Sequence, residues 1–325
     1  MSYWSNGIAT LHHSDAREMP IESNSVHCVV TSPPYYGLRK YRADEELVIG
    51  DESTPEKYVE SIVAVFNEVY RVLRDDGMAW LNLGDSYSVN GTLLGIPWRV
   101  AFALQDNGWT LRSDVIWSKK APMPESMAGT RYQDGVLRQG SWRSTSSHEH
   151  IFQLTKGMHY YSDGEAVKTD TQANRRDVWR DISPEPYAGE HFATFPPDLP
   201  RLCIQASTSE AGVCGSCGNQ WARVVEHTNA TGRVTAEYGA NTTNKRYARA
   251  DVNGSSNTTL GWKPTCDCNA DKIPATVLDP FAGTGTTLLA AQRLGRSGVG
   301  VDLSEDYLNQ AVKRLSKETL PRLLL

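Results

Sequence analysis

The stretch Thr276-Val-Leu-Asp-Pro-Phe-Ala-Gly-Thr-Gly-Thr-Thr287 decides the fold of this chain. Its short apolar run, its glycine-bearing turn and the apolar residues 288–291 predict a buried strand, a tight turn and a helix. A second apolar run at residues 297–301 predicts another strand, which ends at Asp302. Strand, turn, helix and strand in this order are typical of a Rossmann-like α/β sheet.

The glycine turn and the acid after the second strand predict a nucleotide-type site. Gly283 and Gly285 lack the Cβ atoms that would keep a ligand away from the backbone, and the following helix offers free N–H groups at its positive end. Asp302 lies about 20 positions beyond the turn, where a ribose hydroxyl is usually held. The third glycine of a dinucleotide fingerprint and the Gly-Lys-Ser/Thr of a P-loop are missing. An adenosine ligand without a pyrophosphate fits better, which favours S-adenosylmethionine.

A second motif, Thr31-Ser-Pro-Pro-Tyr35, follows the apolar run at residues 26–30. The prolines cannot continue a strand ladder and they fix the backbone. Ser32 and Tyr35 would therefore project from a stiff loop at the carboxyl end of a strand, where ligands bind in open α/β sheets. A hydroxyl, a carbonyl and an aromatic ring suit a nucleobase. A proline turn beside a core tyrosine is the alternative for this motif taken alone.

Together the two motifs resemble those of the amino-methyltransferases of DNA, which methylate the exocyclic nitrogen of cytosine or adenine. Further stretches that match this family are Arg71-Val-Leu-Arg-Asp-Asp-Gly77, Leu81-Asn-Leu-Gly-Asp85, Ser113-Asp-Val-Ile-Trp-Ser-Lys119, His148-Glu-His-Ile-Phe152, Tyr160-Tyr161 and His191-Phe-Ala-Thr-Phe-Pro196. The catalytic motif precedes the cofactor motif, as in the β arrangement of the family. The resemblance implies a Rossmann-like, S-adenosylmethionine-dependent methyltransferase sheet with permuted motif order, built from residues 1–213 and 271–325.

The resemblance also implies a role for each matching position. The catalytic loop would consist of Ser32, Pro33, Pro34 and Tyr35. The residues that line the cofactor would be Asp279, Pro280, Phe281, Gly283, Gly285 and Thr286, with Asp302 on the ribose. Asp15 would lie near the adenine, although an ordinary surface acid or helix cap is the alternative for it. His191 and Phe195 would lie near the methionine end.

The expected chemistry needs alignment more than a strong base. S-Adenosylmethionine is already an electrophile, and the amine becomes strongly acidic once it is methylated. Ser32 Oγ and the Pro33 carbonyl can accept the hydrogens of the amine, and Tyr35 can stack on a base flipped out of the duplex. Within the family, Ser at the first motif position is associated with N4-cytosine and Asp with N6-adenine. Ser32 therefore favours cytosine, with adenine in the same site as the alternative.

Residues 214–270 form the most distinct insertion. They are rich in Asn, Thr and Gly and poor in aliphatic residues, so we expect a loop-rich segment that cannot build a core by itself. Two cysteine pairs bracket the insertion, Cys214 with Cys217 and Cys266 with Cys268. In a reducing compartment such pairs indicate a structural four-thiolate zinc site rather than disulfides. We expect a zinc-ribbon-like insertion that takes part in target recognition, with metal-free thiols as the alternative.

Composition predicts a globular protein of the bacterial cytoplasm, or of a phage-infected cell, associated with the nucleoid. No apolar stretch is long enough to span a bilayer, and the first residues do not form a signal peptide. The net charge of −5 weighs against nucleic-acid binding. Basic residues nevertheless outnumber acidic ones between residues 112 and 143, and Arg175, Arg176 and Arg180 form a second cluster. We expect DNA-facing loops at about 120–147 and 169–190, with ordinary solvated surfaces as the alternative.

The leading hypothesis is a site-specific methyltransferase of double-stranded DNA, with or without a partner restriction endonuclease. A protein or RNA amine methyltransferase with a related Pro-Pro-Tyr loop is a second class, but those relatives usually have Asn first and the cofactor motif first. A non-enzymatic alternative is a zinc-dependent DNA-binding protein with a degenerate methyltransferase body. The intact motifs at residues 32–35 and 283–285 argue against such degeneration.

Overall fold

The computed structural model describes residues 2–37, 49–119, 130–133, 136–139, 143–182, 195–228, 234–239 and 256–318, with the backbone alone at 130–133, 136–139 and 234–239. The strands are β1 Trp4–Ser5, β2 Ala9–His13, β3 Val26–Thr31, β4 Leu73–Leu83, β5 Thr110–Ser118, β6 Thr130–Gln133, β7 Val136–Gln139, β8 His148–Thr155, β9 Val178–Trp179, β10 Val213–Cys214, β11 Ala222–Thr228, β12 Val234–Gly239, β13 Ser256–Lys263, β14 Lys272–Ile273, β15 Thr276–Asp279 and β16 Ser297–Asp302. The helices are α1 Pro55–Val72, α2 Ile96–Asp106, α3 Asp198–Ser207, α4 Thr286–Arg293 and α5 Glu305–Leu315, with a 3₁₀ turn at Glu165–Val167.

A nine-stranded mixed sheet forms the centre of the protein, in the order β1-β2-β16-β15-β3-β4-β8-β5-β9. The five strands from β2 to β4 in this order run parallel, and β8 is antiparallel to both β4 and β5. The predicted Rossmann-like sheet is confirmed. The two ends of the chain meet in it, because β15 pairs directly with β3.

The position of a ligand crevice follows from this strand order. From β15 the chain crosses through α4 to β16 on one side, and from β3 it crosses through α1 to β4 on the other side. In an open α/β sheet, the connections diverge at such a switch point and leave a crevice at the carboxyl ends of the two strands. The motifs at residues 279–287 and 31–35 both begin at this edge.

Helix α1 illustrates how the sequence determines an element. Thr54 caps its amino end by accepting the Lys57 N–H at 3.3 Å, and Pro55 occupies the first turn. The helical spacing of apolar residues from Pro55 to Leu73 predicts this helix, and the predicted apolar face is the one that is buried, namely Tyr58, Ile62, Val65, Phe66, Val69 and Val72. The sequence indicates Gly77 as the residue that stops the helix, but the helix already ends at Val72, because Leu73 pairs with Val26 as the first residue of β4.

Two segments are more regular than predicted. The region between β5 and β8 was expected to be a loop, yet β6 and β7 form an antiparallel hairpin within it. The insertion was expected to be loop-rich, yet β12, β11 and β13 form a three-stranded antiparallel sheet. That sheet contacts the rest of the protein through Arg223 of β11, whose guanidinium donates to the buried Asp163 carboxylate at 2.9 Å. None of the described helices is long and apolar enough to cross a membrane.

The close packing around Gly300 of β16 generates a stability prediction. A Cβ on Gly300 would lie 2.8 Å from Ala282 Cβ and 2.9 Å from Leu11 Cδ2. We therefore expect Gly300→Ala to lower the free energy of unfolding by about 1–3 kcal/mol, as overpacked cores do. Gly157→Ala is the control, since a Cβ there meets nothing within 4 Å, and its effect should stay within about 0.5 kcal/mol. Urea unfolding measures both, and equal losses would contradict the packing argument.

Candidate active site and thiolate cluster

The catalytic loop is held from both sides by the body of the protein. The Tyr58 hydroxyl of α1 donates to the Pro34 carbonyl at 2.9 Å, and Ser86 Oγ donates to the Tyr36 carbonyl at 2.6 Å. Pro33 is buried, whereas Ser32 and Tyr35 are half-buried. Among the described residues, no backbone donor reaches the Pro33 carbonyl. The loop is therefore rigid, with a hydroxyl and a carbonyl that can accept hydrogen bonds.

A buried carboxylate joins this loop to the glycine turn. Asp279 ends β15, and its Oδ1 accepts from Thr31 Oγ1 at 2.7 Å. Its Oδ2 accepts from Thr287 Oγ1 of α4 at 2.8 Å, and the Phe281 N–H also donates to Oδ1 at 3.1 Å. Burial raises the pKa of Asp279 to about 6, against these hydrogen bonds, which lower it. We call Thr31, Asp279 and Thr287 the Asp279 clasp.

The glycine turn provides a cradle beside the clasp. Gly283 has a φ of +50°, and a Cβ built on it would meet only the Phe281 carbonyl, at 3.9 Å. Its N–H donates to Asp302 Oδ2 at 2.7 Å, so the turn and the predicted ribose acid lie together. Ser304 N–H donates to the other oxygen of Asp302 at 2.8 Å. Each carboxylate oxygen can accept further hydrogen bonds, which leaves Asp302 able to bind a hydroxyl.

Three other residues of the motif have packing roles. Gly285 has a φ of +78°, and a Cβ there would lie 3.1 Å from Ala311 Cβ, so this glycine lets α5 approach. Thr286 is buried, and its Oγ1 accepts from Arg314 Nη1 of α5 at 2.7 Å. Phe281, next to Pro280, packs against the core on the α1 side of the sheet. The predicted cofactor contacts of these residues remain predictions.

Asp15 reaches the same edge of the sheet from the neighbouring strand. Strand β2 ends opposite Asp302, and the Ser14 N–H donates to the Asp302 carbonyl at 3.2 Å. The Asp15 carboxylate is paired with Arg17 at 2.6 Å. Burial alone would raise the pKa of Asp15, but the hydrogen bonds from Arg17 hold it below its ordinary value. Asp15 is thus ionised and follows the strand end that pairs with Asp302, and its contact with an adenosine stays a prediction.

The residues predicted for the methionine end are described only in part. His191 lies outside the described residues. Phe195 is partly buried and packs against the core on the α3 side of the sheet, which contains Val30 and Cys203. Its contact with a cofactor stays a prediction.

A hydrogen-bonded network that the motifs did not predict lies behind Ser32. Ser32 Oγ donates to the Tyr35 hydroxyl at 3.1 Å, and the Tyr35 hydroxyl donates to Glu149 Oε2 at 2.8 Å. Asn82 Nδ2 donates to Tyr35 Oη at 2.9 Å and to Glu149 Oε2 at 2.7 Å. Lys119 Nζ pairs with the other oxygen of Glu149. Burial and the Glu149 charge raise the pKa of Tyr35 well above its ordinary value, so its phenol stays protonated.

The residues behind Ser32 and Tyr35 lie in family-matching stretches of the sequence, but the sequence assigns them no function. Asn82, Lys119 and Glu149 all stand in stretches that match the family, namely 81–85, 113–119 and 148–152. Their meeting depends on β8 lying between β4 and β5 in the sheet, an arrangement that the order of elements along the chain does not specify.

The predicted DNA-facing surface is also described in part. The structure does not describe residues 120–129, 134–135, 140–142 and 183–190 of this surface. Arg143 stacks over the Tyr87 ring, with its guanidinium carbon 3.3 Å from the ring centroid. Arg175 pairs with Asp181 at 2.8 Å, so its charge is partly neutralised within the protein. The second basic cluster is therefore weaker than its sequence indicates.

The four cysteines of the insertion meet as predicted. The sulfur atoms of Cys214, Cys217, Cys266 and Cys268 all lie within 4.8 Å of one another. Backbone N–H groups of Cys217 and Ser216 point at Cys214 Sγ and lower the pKa of this thiol to about 6. Four thiols converging on one point, one of them readily ionised, match the donor set of a closed tetrahedral zinc site.

This thiolate cluster docks on the amino end of β3, away from the catalytic loop. The His27 ring accepts the Thr276 N–H at Nδ1 (3.1 Å), so its Nε2 donates to the Gly218 carbonyl at 2.9 Å. Burial lowers the pKa of His27 to about 4 and keeps this ring neutral. Arg74 donates to the Cys217 carbonyl at 3.0 Å. The catalytic loop begins at the opposite end of β3, so the cluster is remote from the reacting groups.

The class of protein follows from comparison with known families. A family model described as DNA methylase, of the N6 and N4 type, matches residues 26–215 and 271–313, which is more than half of the chain. The chain therefore belongs to this family and is a DNA methyltransferase of the amino-methylating type. The gap in the match coincides with the insertion between the cysteine pairs.

Individual relatives make the comparison more specific. The Type II methyltransferase M.Cfr9I of Citrobacter freundii is 35% identical over 346 residues, covering 95% of this chain and 88% of the relative. M.SmaI of Serratia marcescens is 33% identical over 337 residues, covering 93% and 88%. The solved structure of PvuII DNA methyltransferase (cytosine-N4-specific) matches with a TM-score of 0.64 at 16% identity, covering 98% of this chain and 89% of that one. The solved structure of the Thermus thermophilus protein TTHA0409 in complex with S-adenosyl-L-methionine matches with a TM-score of 0.56 at 22% identity, covering 96% of this chain and 95% of that one.

The raised pKa of Asp279 predicts how the stability of the protein changes with pH. A carboxyl whose folded-state pKa is raised stabilises the fold below its unfolded pKa and loses that contribution as pH rises through the folded value. Between about pH 4 and about pH 6 we therefore expect the wild type to lose stability relative to Asp279→Asn, by on the order of 1–3 kcal/mol. Urea unfolding of both proteins across this range measures the difference.

The control for this measurement is Asp15→Asn. Because the pKa of Asp15 is lowered, the wild type should gain stability relative to Asp15→Asn as pH rises, at pH values below about 4. A difference between wild type and Asp279→Asn that is independent of pH would show that burial does not perturb Asp279.

Proposed function

We propose that this protein transfers the methyl group of S-adenosylmethionine to the exocyclic N4 of a flipped-out cytosine at a specific site in double-stranded DNA. The observation that carries the proposal is the Thr31–Asp279 hydrogen bond of 2.7 Å. It fixes an acceptor loop and an open glycine cradle side by side at the switch point of the sheet. A methyl donor and a methyl acceptor must meet in that way.

The described residues fit an adenosine-bearing methyl donor. Gly283 leaves space where a Cβ would stand, Asp302 can accept ribose hydroxyls, and Asp15 lies at the same edge for the adenine. The remaining cofactor residues would be Asp279, Pro280, Phe281, Gly285, Thr286, His191 and Phe195. The bound donor would supply an electrophilic methyl group. TTHA0409, which shares the fold, binds S-adenosyl-L-methionine.

On the acceptor side, the protein would contribute alignment. Ser32 Oγ and the Pro33 carbonyl would accept the two hydrogens of the amine and direct its lone pair toward the methyl group. The exposed part of the Tyr35 ring would contact the base. Holding reacting groups in near-attack geometry can contribute about 7–11 kcal/mol to lowering a barrier, provided that the loop does not relax. The contacts from Tyr58 and Ser86 to its carbonyls support that rigidity.

Two observations favour cytosine as the target base. Serine stands at the first motif position, and the PvuII enzyme, which shares the fold over 98% of this chain, is cytosine-N4-specific. Adenine N6 in the same site is the alternative. Because its relatives are bacterial Type II methyltransferases, we propose that the chain acts on bacterial DNA within a restriction–modification system. A restriction endonuclease would then be its functional partner.

We also propose that Cys214, Cys217, Cys266 and Cys268 hold a structural Zn²⁺ ion. A four-thiolate zinc site has no open coordination position, so it stabilises a fold and does not catalyse a reaction. Here it would fix both ends of the insertion, next to the antiparallel pair of β10 and β14. Target recognition by the insertion remains a second part of this proposal and would rest on its three-stranded sheet.

The target base can be tested by expressing the chain in a host free of DNA methylation. Sequencing by a method that distinguishes N4-methylcytosine from N6-methyladenine should find N4-methylcytosine in one short motif. Tyr35→Ala should abolish the modification while retaining cofactor binding. Asp106→Asn, exposed at the carboxyl end of α2 and outside both the catalytic loop and the insertion, is the control and should keep the pattern. N6-methyladenine in the motif would overturn the choice of base, and unmodified DNA would overturn the proposed function.

The zinc proposal is tested by metal content and thermal stability. The purified wild type should hold about one zinc ion per chain, and chelation should lower its melting temperature by several degrees. Cys268→Ser should lose most of the zinc, because it removes a ligand. Cys203→Ala is the control: it removes a buried thiol outside the cluster and should keep the zinc. A metal-free wild type whose melting is unaffected by chelation would contradict the proposal.

A further inference from the structure

Glu149 lies at the end of a hydrogen-bond chain that begins at the catalytic serine. We propose that Glu149 is the proton acceptor of the methyl-transfer reaction, reached through Ser32 and Tyr35, and that it sets Ser32 as an acceptor for the amine. The inference rests on the proposed function and deepens it. Among the described residues, Glu149 is the carboxylate that hydrogen-bonds to the Tyr35 hydroxyl of the catalytic loop.

The directions of the hydrogen bonds follow from the inventory of donors and acceptors. An ionised carboxylate only accepts, so the Tyr35 hydroxyl must give its proton to Glu149 Oε2 at 2.8 Å. Tyr35 Oη can then only accept, and it receives the Ser32 hydroxyl proton at 3.1 Å. With its own proton directed inward, Ser32 Oγ presents a lone pair toward the crevice. That lone pair can accept an amine N–H.

Asn82 reinforces this polarity. Its Nδ2 donates to Glu149 and to Tyr35, at 2.7 Å and 2.9 Å, and more distantly to Ser32 Oγ at 3.4 Å. Because Glu149 cannot donate, the orientation of the Asn82 amide is fixed. Hydrogen bonds that run in one direction polarise one another. The chain from Ser32 to Glu149 therefore makes the serine oxygen a better acceptor than an isolated hydroxyl.

The charge on Glu149 has a local counterion. The Glu149 side chain is 10% exposed and pairs with Lys119, whose Nζ also lies 5.0 Å from the centroid of the Trp117 ring. Without a partner, a carboxylate at this depth would be costly to ionise. The network thus holds a paired carboxylate, a protonated phenol and a serine hydroxyl in line.

In the proposed step, methyl transfer to the amine is followed by proton transfer along Ser32, Tyr35 and Glu149. The amine nitrogen forms a bond to the methyl carbon, and the electron pair of the carbon–sulfur bond stays on sulfur, which becomes a neutral thioether. The methylated nitrogen passes one proton to Ser32 Oγ. The Ser32 proton moves to Tyr35 Oη and the Tyr35 proton moves to Glu149 Oε2. The products are a neutral methylamino base and a protonated Glu149 beside Lys119. Glu149 returns this proton to solvent before the next turnover.

The test compares Glu149→Gln and Tyr35→Phe with the wild type in steady-state and single-turnover methylation of DNA. Glutamine keeps the shape of residue 149 but cannot take a proton, and phenylalanine keeps the ring of residue 35 but breaks the chain. We expect each variant to lower kcat on the order of 10²-fold. The KM values for S-adenosylmethionine and DNA should change less than about twofold, because neither change removes a binding contact that the proposal assigns.

A double variant distinguishes a single proton relay from two independent roles of Tyr35 and Glu149. If Tyr35 and Glu149 act in one relay, Tyr35→Phe with Glu149→Gln should lose no more activity than the worse single variant. Asp114→Asn is the control: this carboxylate pairs with His150 at 3.0 Å on the neighbouring strands and does not contact the loop. It should retain the wild-type kcat. Melting temperature and cofactor binding confirm that each variant is folded.

Two results would overturn the relay. One is a kcat of Glu149→Gln within twofold of the wild type, and the other is a double variant whose loss is the product of the single losses. If the wild type methylates DNA and either of these two results is obtained for the variants, the proposed function stands and only the relay is rejected. A wild type that does not methylate DNA removes both.

Discussion

The Asp279 carboxylate is the interaction on which the rest of the site depends. It ends β15 and receives hydrogen bonds from Thr31 at the end of β3 and from Thr287 at the start of α4. These three residues come from the two ends of the chain, with Thr31 and Asp279 248 positions apart. Placing a carboxylate there is costly, which its raised pKa of about 6 expresses, and three donors offset part of that cost. In return, the acceptor loop and the glycine cradle are fixed relative to each other, which is what catalysis by alignment requires.

The two edges of the central sheet have separate tasks. The carboxyl edge carries Ser32, Gly283 and Asp302, the residues of the proposed site. At the amino edge, the neutral His27 ring joins the turn after Cys217 to β3 and β15 through Gly218 and Thr276. An insertion anchored at this edge can vary without disturbing the reacting groups, since the length of β3 separates them. The family match stops at residue 215 and resumes at residue 271, so it leaves out most of this insertion.

Much of the fold could be predicted from local pattern. The buried face of α1 and the strands around residues 26–31, 276–279 and 297–302 follow from periodicity and turn residues. The predicted end of α1 at Leu73 is within one residue of the observed end, but the cause is the strand pairing of Leu73 and not Gly77. The regularity of the insertion was missed for a related reason. Its composition is poor in aliphatic residues, but strand pairing and the Arg223–Asp163 ion pair order it from outside.

The sequence by itself determined the glycine cradle, the rigid Pro-Pro loop, the acid at the end of β16 and the close spacing of the cysteines within each pair. Each of these depends on backbone conformation or on short spacing, which neighbouring residues specify. Only the tertiary structure decided that Asp279 links the two motifs, that the two cysteine pairs meet, and that Glu149 and Lys119 stand behind Ser32. These contacts depend on which distant segments the fold brings together. Strand order is fixed by the packing of the whole chain, and no local stretch of sequence contains that information.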